Sequence, residues 1–214
     1  MQDKKMDRRI ARTRTLLKDS LLNLIQEKGY EAITIENITD RANLGRATFY
    51  LHYHDKAELL LESIDSIAED LINQATQSGY IPGLTPDPAN PVTPQKQSQS
   101  FLMVFKHASQ KAELWRIILR GEGMTMASVR IREILGKIAG NYFEDQMREF
   151  SNSDQRLIPS EVAANYFAVS LMGFLTWWLE SDMKYPAEQM AEMFRTMFFN
   201  GIQRAAGLPV EADE

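Results

Sequence analysis

Between Leu44 and Leu60 the chain reads "LGRATFYLHYHDKAELL", which gathers an arginine, a threonine, three aromatic rings, two imidazoles and a lysine. Such side chains can serve a metal, a proton transfer, a local core or a polyanion. His52 and His54 stand two apart, which on a helix turns them roughly 200° from each other, so they cannot share an ion. No third ligand is near and the chain has no cysteine, so no metal site is expected. No nucleophile–base pair and no phosphate loop stands out, so no catalytic residue is assigned and no cofactor is implied. His107, on an amphipathic segment, reads as an ordinary pocket or core histidine rather than a catalyst.

A surface for a polyanion fits the cluster better. On a helix Phe49 and Tyr53 lie four apart and pack inward with Ile35, Ile38 and Leu59. Arg46, Ala47, Thr48, Tyr50, Leu51 and His52 are then left towards the N-terminal and outer sides. Arg46 can pair with guanine O6 and N7, and Ala47 is small enough to sit against a thymine methyl. The net charge is −5, yet residues 1–60 carry +2 and the remainder −7. Lys4, Lys5, Arg8, Arg9, Arg12, Arg14 and Lys18 face only Asp3 and Asp7, a local +5. Alone, that run is no more than a solvated helix start; beside the aromatic cluster it suggests one end that neutralises phosphates. The acidic body argues against a DNA-binding protein without sequence preference.

The elements that position these residues follow from helical periodicity. Ile10, Leu17, Leu21, Leu24 and Ile25 mark a first helix that stops at Gly29. Thr34 is expected to cap a short helix with Ile35, Ile38 and Ala42 on one side, and that helix start can also hold a phosphate. Asn43-Leu44-Gly45 reads as a tight turn, because Asn and Gly tolerate positive φ. A second short helix covers Arg46 to Tyr53, and Asp55 with Glu58 forms a capping box for a longer helix through Ile72. Residues 79–96, with five prolines, predict a long loop. Further helices are expected over Gln97–Ser109, Lys111–Leu119, Met126–Phe150, from Ser160 as N-cap to Glu180, and from Pro186 towards Gly207. The fold class is all-α, about nine helices, with a three-helix helix-turn-helix domain over 1–58 and a larger helical domain over 59–214. No signal-peptide pattern is seen, and the apolar run Tyr166–Leu179 is shorter than the roughly 20 residues of a membrane span, so a cytoplasmic protein without a membrane partner is expected.

The stretch "TIENITDRANLGRATFYLHYHDKAELL" resembles the DNA-binding segment of the TetR/AcrR transcriptional regulators. Their pattern is a Thr, a short Ile-containing helix, a turn, then Thr-x-Tyr-x-His-aromatic-x-x-Lys-x-x-Leu. Thr34, Ile38, Ala42, Thr48, Tyr50, His52, Tyr53, Lys56 and Leu59 carry the match, which covers about residues 8–62. The turn departs from it: Asn43 and Gly45 stand where Gly and Ser are common, and Ala47 replaces a frequent Gly. The resemblance implies that Thr48, Tyr50, His52 and Lys56 bind phosphates of a double-stranded operator. It also implies a homodimer paired through the last two helices and a small-molecule effector held in the C-terminal body.

That body is rich in methionine and rings, which suits an adaptable apolar cavity for an apolar or aromatic effector. Phe101, Phe105, His107, Trp115, Tyr142 and Trp177 are candidates to line it. The last two helices are apolar over much of their circumference, so a partner should cover the surplus, with Phe167, Leu171, Phe174, Met190, Phe194 and Met197 as candidates. The function expected is a ligand-responsive repressor that binds a pseudo-palindromic operator as a dimer. The alternatives are an activator of the same family, or an enzyme using the C-terminal cavity, which no residue constellation supports.

Overall fold

Apolar residues at three-four spacing wind into nine α-helices among the residues that the structure, a computed structural model, describes: 2–77, 94–120, 125–150 and 158–205. They are α1 (Gln2–Lys28), α2 (Ile35–Ala42), α3 (Arg46–Tyr50), α4 (Lys56–Gln77), α5 (Pro94–Gln110), α6 (Ala112–Arg120), α7 (Thr125–Phe150), α8 (Ser160–Glu180) and α9 (Ala187–Ala205). The fold is all-helical, an N-terminal helix-turn-helix domain followed by a C-terminal helical domain.

Several boundaries differ from expectation, each for a local reason. α5 begins at Pro94, so 94–96 belong to a helix; the fixed φ of proline suits a first helical position. The rest of the expected loop, 79–93, lies outside the described residues, as does Gly207. α3 ends at Tyr50 because the chain tightens: the His52 N–H donates to the Phe49 carbonyl at 2.9 Å, an i to i−3 bond. Pro159 rather than Ser160 occupies the N-cap of α8, and its carbonyl accepts from Val162 and Ala163. Gly29 does end α1, in the left-handed region at φ +73°, with its N–H on the Ile25 carbonyl at 2.9 Å.

The chain divides into two compact units. The first holds residues 1–67 together with Glu113–Arg130. Its core includes the fully buried Leu17, Leu21, Ile25, Ile38, Phe49 and Leu59. Burying such side chains is worth roughly 1.5–3 kcal/mol each. Within this unit Arg130 grips Asp65 with two donors, Nε at 2.7 Å and Nη2 at 3.0 Å.

The second unit holds Ala68–Ala112 and residues 131–214. Its core is aromatic: Phe101 meets Phe194 at 5.1 Å, Phe105 meets Trp178 at 5.3 Å and Phe167 meets Phe198 at 5.0 Å, all edge to face. α8 runs 21 residues, longer than the apolar run Tyr166–Leu179, and is by length and composition sufficient to cross a membrane. One face of it, with Phe167, Leu171, Leu175 and Trp178, is buried inside the unit, as in a core helix.

Candidate nucleic-acid interface

The interface is built on α2 and α3. Thr34 caps α2 from an extended conformation, φ −103° and ψ 160°. Its hydroxyl accepts the Asn37 N–H at 3.2 Å while the Asn37 side chain accepts the Thr34 N–H at 3.1 Å, a reciprocal cap. Lys28 adds a 2.6 Å bond from Nζ to Asn37 Oδ1, joining the end of α1 to this corner. α2 closes at Asn43, in the left-handed region at φ 53° and ψ 47°. The Asn43 N–H reaches the Asp40 carbonyl at 3.1 Å and the Leu44 N–H reaches Thr39 at 2.9 Å, the paired bonds of a Schellman turn. Gly45 then caps α3 at φ −77° with no side-chain hydrogen bond. Of the two turn residues, only Asn43 uses positive φ.

α3 is anchored by rings and presents the rest of its surface. Phe49 is fully buried and Tyr53 is 2 % exposed; their centroids lie 5.8 Å apart. Tyr50 stays 58 % exposed, edge-on to Phe49 at 5.6 Å, and Leu51 is 81 % exposed. Arg46 and Ala47 are exposed, while Thr48 and His52 are half-buried beside them. Arg46, Ala47, Thr48, Tyr50 and His52 thus stay exposed or half-buried, and Leu51 is the most exposed large apolar side chain of the stretch. Glu36 in the first turn of α2 pairs with Arg46, Oε2 to Nη2 at 3.7 Å. No sequence motif marks Glu36; only its place two residues after the cap hints at this neighbour.

The cations divide between those that meet acceptors within the chain and those left exposed. Lys56 was expected on phosphate, yet its ammonium donates to the carbonyls of Tyr30 and Ile33 at 3.1 Å, with Glu31 at 3.4 Å, and lies 4.4 Å from the Tyr30 ring centroid. A lysine has three donors, and all three face the loop between α1 and α2. Arg14 and Lys18 of the basic run are also turned inward. Arg14 Nη2 meets Glu62 at 2.6 Å and its Nε meets the Tyr53 hydroxyl at 3.4 Å; Lys18 meets Ser66 at 2.6 Å and Glu62 at 3.6 Å. Arg8, Arg9 and Arg12 are exposed. Burial pushes the Tyr53 phenol up to about 12 against the lowering effect of Arg14, and burial with Asp55 and Glu31 pushes Tyr30 up to about 12.

The start of α4 is held as the Asp55–Glu58 pattern predicts, with one change. Asp55 Oδ1 accepts from Ala57 at 2.8 Å and Glu58 at 2.9 Å, but the Glu58 carboxylate reaches back to the His54 N–H at 2.7 Å rather than to Asp55. Among the described residues no three His, Asp or Glu side chains are placed to share a metal ion.

The C-terminal candidates fall in different places. Phe101, Phe105 and Tyr142 are buried in the second unit, where the first two pack against the rings of α8 and α9. His107 is partly buried there, and burial with Lys111 lowers its pKa against the opposing pull of Asp70. Trp115 belongs to the core of the first unit instead, and Trp177 is half exposed rather than inward. Of the expected pairing residues, Phe167, Leu171, Met190 and Phe194 are buried within the chain itself and Phe174 is half-buried; only Met197 is exposed. The outer face of α8 carries Val162, Tyr166, Val169 and Trp177 instead. A helix apolar on all sides gives periodicity no means of ranking its faces.

Residues 19–63 match the family described as bacterial regulatory proteins, tetR family, and residues 95–200 match a transcriptional regulator C-terminal region. YxbF of Bacillus subtilis, an HTH-type transcriptional regulator, is 26% identical over 194 residues, covering 90% of this chain and 46% of YxbF. IcaR of Staphylococcus epidermidis, an HTH-type negative transcriptional regulator of the biofilm operon icaADBC, is 33% identical over 48 residues, 22% of this chain and 26% of IcaR. The chain therefore spans less than half the length of these two relatives. Among solved structures, the fatty acid degradation regulator FadR of Bacillus halodurans superposes with a TM-score of 0.66 at 16% identity, covering 89% of this chain and 96% of that one. FadR of Bacillus subtilis, in complex with stearoyl-CoA, gives a TM-score of 0.63 at 14% identity, covering 87% and 98%. Those identities speak to the fold, while the two sequence matches cover both the helix-turn-helix segment and the C-terminal helices: the chain belongs to the TetR family of transcriptional regulators.

Proposed function

We propose that this regulator is a ligand-responsive repressor that grips a pseudo-palindromic operator as a homodimer, reading bases from the start of α3. The observation that carries this is the division of α3, with Phe49 and Tyr53 locked in the core while Arg46, Ala47, Tyr50 and Leu51 are exposed together. Arg46 and Ala47 face base edges; Thr48, Tyr50, His52 and the Thr34 corner take phosphates. Lys56 acts behind them, as a scaffold that fixes the loop before α2.

The two copies pair through the outer face of α8, where Val162, Tyr166, Val169 and Trp177 form an exposed apolar stripe, with Met197 of α9. The methionine- and ring-rich second unit takes an apolar effector, a class for which stearoyl-CoA in B. subtilis FadR is a precedent. Effector binding shifts the population away from the operator-competent state. Repression rather than activation is favoured by the similarity to a negative regulator, IcaR.

The test is a mobility-shift titration at fixed salt, using duplexes that the wild-type protein recovers from a random library. Replacing Arg46 and Tyr50 together with Ala abolishes the specific complex while helicity is retained. Undiminished affinity of that double variant overturns the assignment.

A further inference from the structure

The pair between Glu36 and Arg46 sits where the charge of the surface should be purely positive. Glu36 is the second residue of α2 and Arg46 the first of α3, and their long side chains approach each other across the two helices. Their charged atoms lie 3.7 Å apart, and both side chains are 61% exposed. In water such a pair contributes little to the fold. Facing DNA its consequences are larger, because phosphate oxygens are acceptors only and repel a carboxylate. In the major groove the groups that can donate to it are exocyclic amines, above all cytosine N4.

We infer that Glu36 is a specificity-determining residue: it holds the Arg46 guanidinium towards guanine and itself accepts from a neighbouring cytosine. This rests on the DNA-binding reading proposed above. Arg46 without a partner is free to fall onto any phosphate, which adds affinity but no discrimination. With Glu36 beside it, a phosphate contact by Arg46 brings the carboxylate close to a second negative charge, whereas a guanine next to a cytosine satisfies both side chains. The pair thus trades absolute affinity for selectivity. A carboxylate in the first turn of α2 also suits the helix dipole. That role alone predicts a change in thermal stability and none in base preference.

The experiment selects duplexes from a random library with full-length wild type and with E36Q, then measures binding of the wild-type consensus and a scrambled duplex at several salt concentrations. E36Q binds the scrambled duplex more tightly, the ratio of specific to non-specific affinity falls on the order of tenfold, and the cytosine preference beside the guanine disappears. The salt slope on the scrambled duplex steepens by about one as Arg46 gains a phosphate. R46A loses the guanine preference but keeps the cytosine preference beside it, and adding E36Q removes that preference as well. A motif and ratio that E36Q shares with wild type overturn this inference alone. A wild-type protein that selects no motif overturns the DNA-binding reading and this inference with it.

Discussion

The ammonium of Lys56 donates to the carbonyl of Tyr30 at 3.1 Å and lies 4.4 Å from the centroid of the same residue's ring. One cation at the start of α4 therefore gathers a loop 26 residues earlier in the chain. Replacing it, K56M, leaves several carbonyls short of a donor and costs about 2 kcal/mol. For a chain of this size that lowers the melting temperature by roughly 4–8 °C. If Lys56 acted on phosphate instead, the melting curve would be unchanged and the salt slope of DNA binding would drop by about one.

The turn between α2 and α3 makes opposite forecasts for two neighbouring positions. Asn43 sits at φ 53°, so N43A costs about 1–2 kcal/mol, whereas N43G is close to neutral. Gly45 sits at an ordinary φ of −77°, and a Cβ built there meets nothing within 4 Å. Serine at that cap, G45S, can accept an α3 N–H and stabilises the protein by roughly 0.5–1 kcal/mol. Urea titrations of the three variants check both signs, and a destabilised G45S contradicts the open cap.

Alkaline pH reaches the same core through Tyr53. Burial pushes its folded pKa up to about 12, above the 10.0 of a free phenol. The unfolded chain therefore releases its proton first. The stabilisation is complete below pH 10.0 and is lost as pH rises towards 12. In Y53F that part of the decline is absent, although the bond to Arg14 is also gone and stability at neutral pH is lower. Urea midpoints measured across this range separate the two effects; a Y53F curve parallel to wild type removes Tyr53 from the account.

Two ring positions on α8, Trp177 and Phe167, separate surface from core. W177E places a charge on the outer face and is expected to dissociate the proposed dimer in sedimentation velocity while the far-ultraviolet circular dichroism is kept. F167A removes a ring that contacts Phe101, Phe194 and Phe198, and costs about 3–5 kcal/mol. A W177E protein that still sediments as a dimer excludes this face from the interface.

Local signals were legible in the sequence. The Thr34 cap, the Asn43 turn, the Gly29 stop and the inward pair Phe49 and Tyr53 each depend on neighbours within a few residues, and periodicity or turn chemistry specifies them. Side chains whose partners are distant in sequence were not. Arg14 and Lys18 belong by composition to a basic tip, but their partners Glu62 and Ser66 lie as many as 48 residues away. Nothing in the local sequence of Lys56 reveals the carbonyls of Tyr30 and Ile33 that its ammonium meets. On α8 the difficulty was different: Tyr166 and Phe167 are both large and aromatic, and only packing decides that the first is exposed and the second buried.

Trp177 and Trp178 are successive residues, yet one indole is 50 % exposed and the other 1 %, with its N–H on the Tyr185 carbonyl at 2.8 Å. Trp115, the third, is buried. The chain thus carries its own optical label. In a protomer not yet paired through this face, water relaxes around an excited Trp177, which supplies the red edge of the emission and the part open to iodide quenching, while its two counterparts emit to the blue. Any molecule that settles over the outer face of α8 removes the red component and leaves the blue one in place, so its arrival can be timed in the native protein without an added dye.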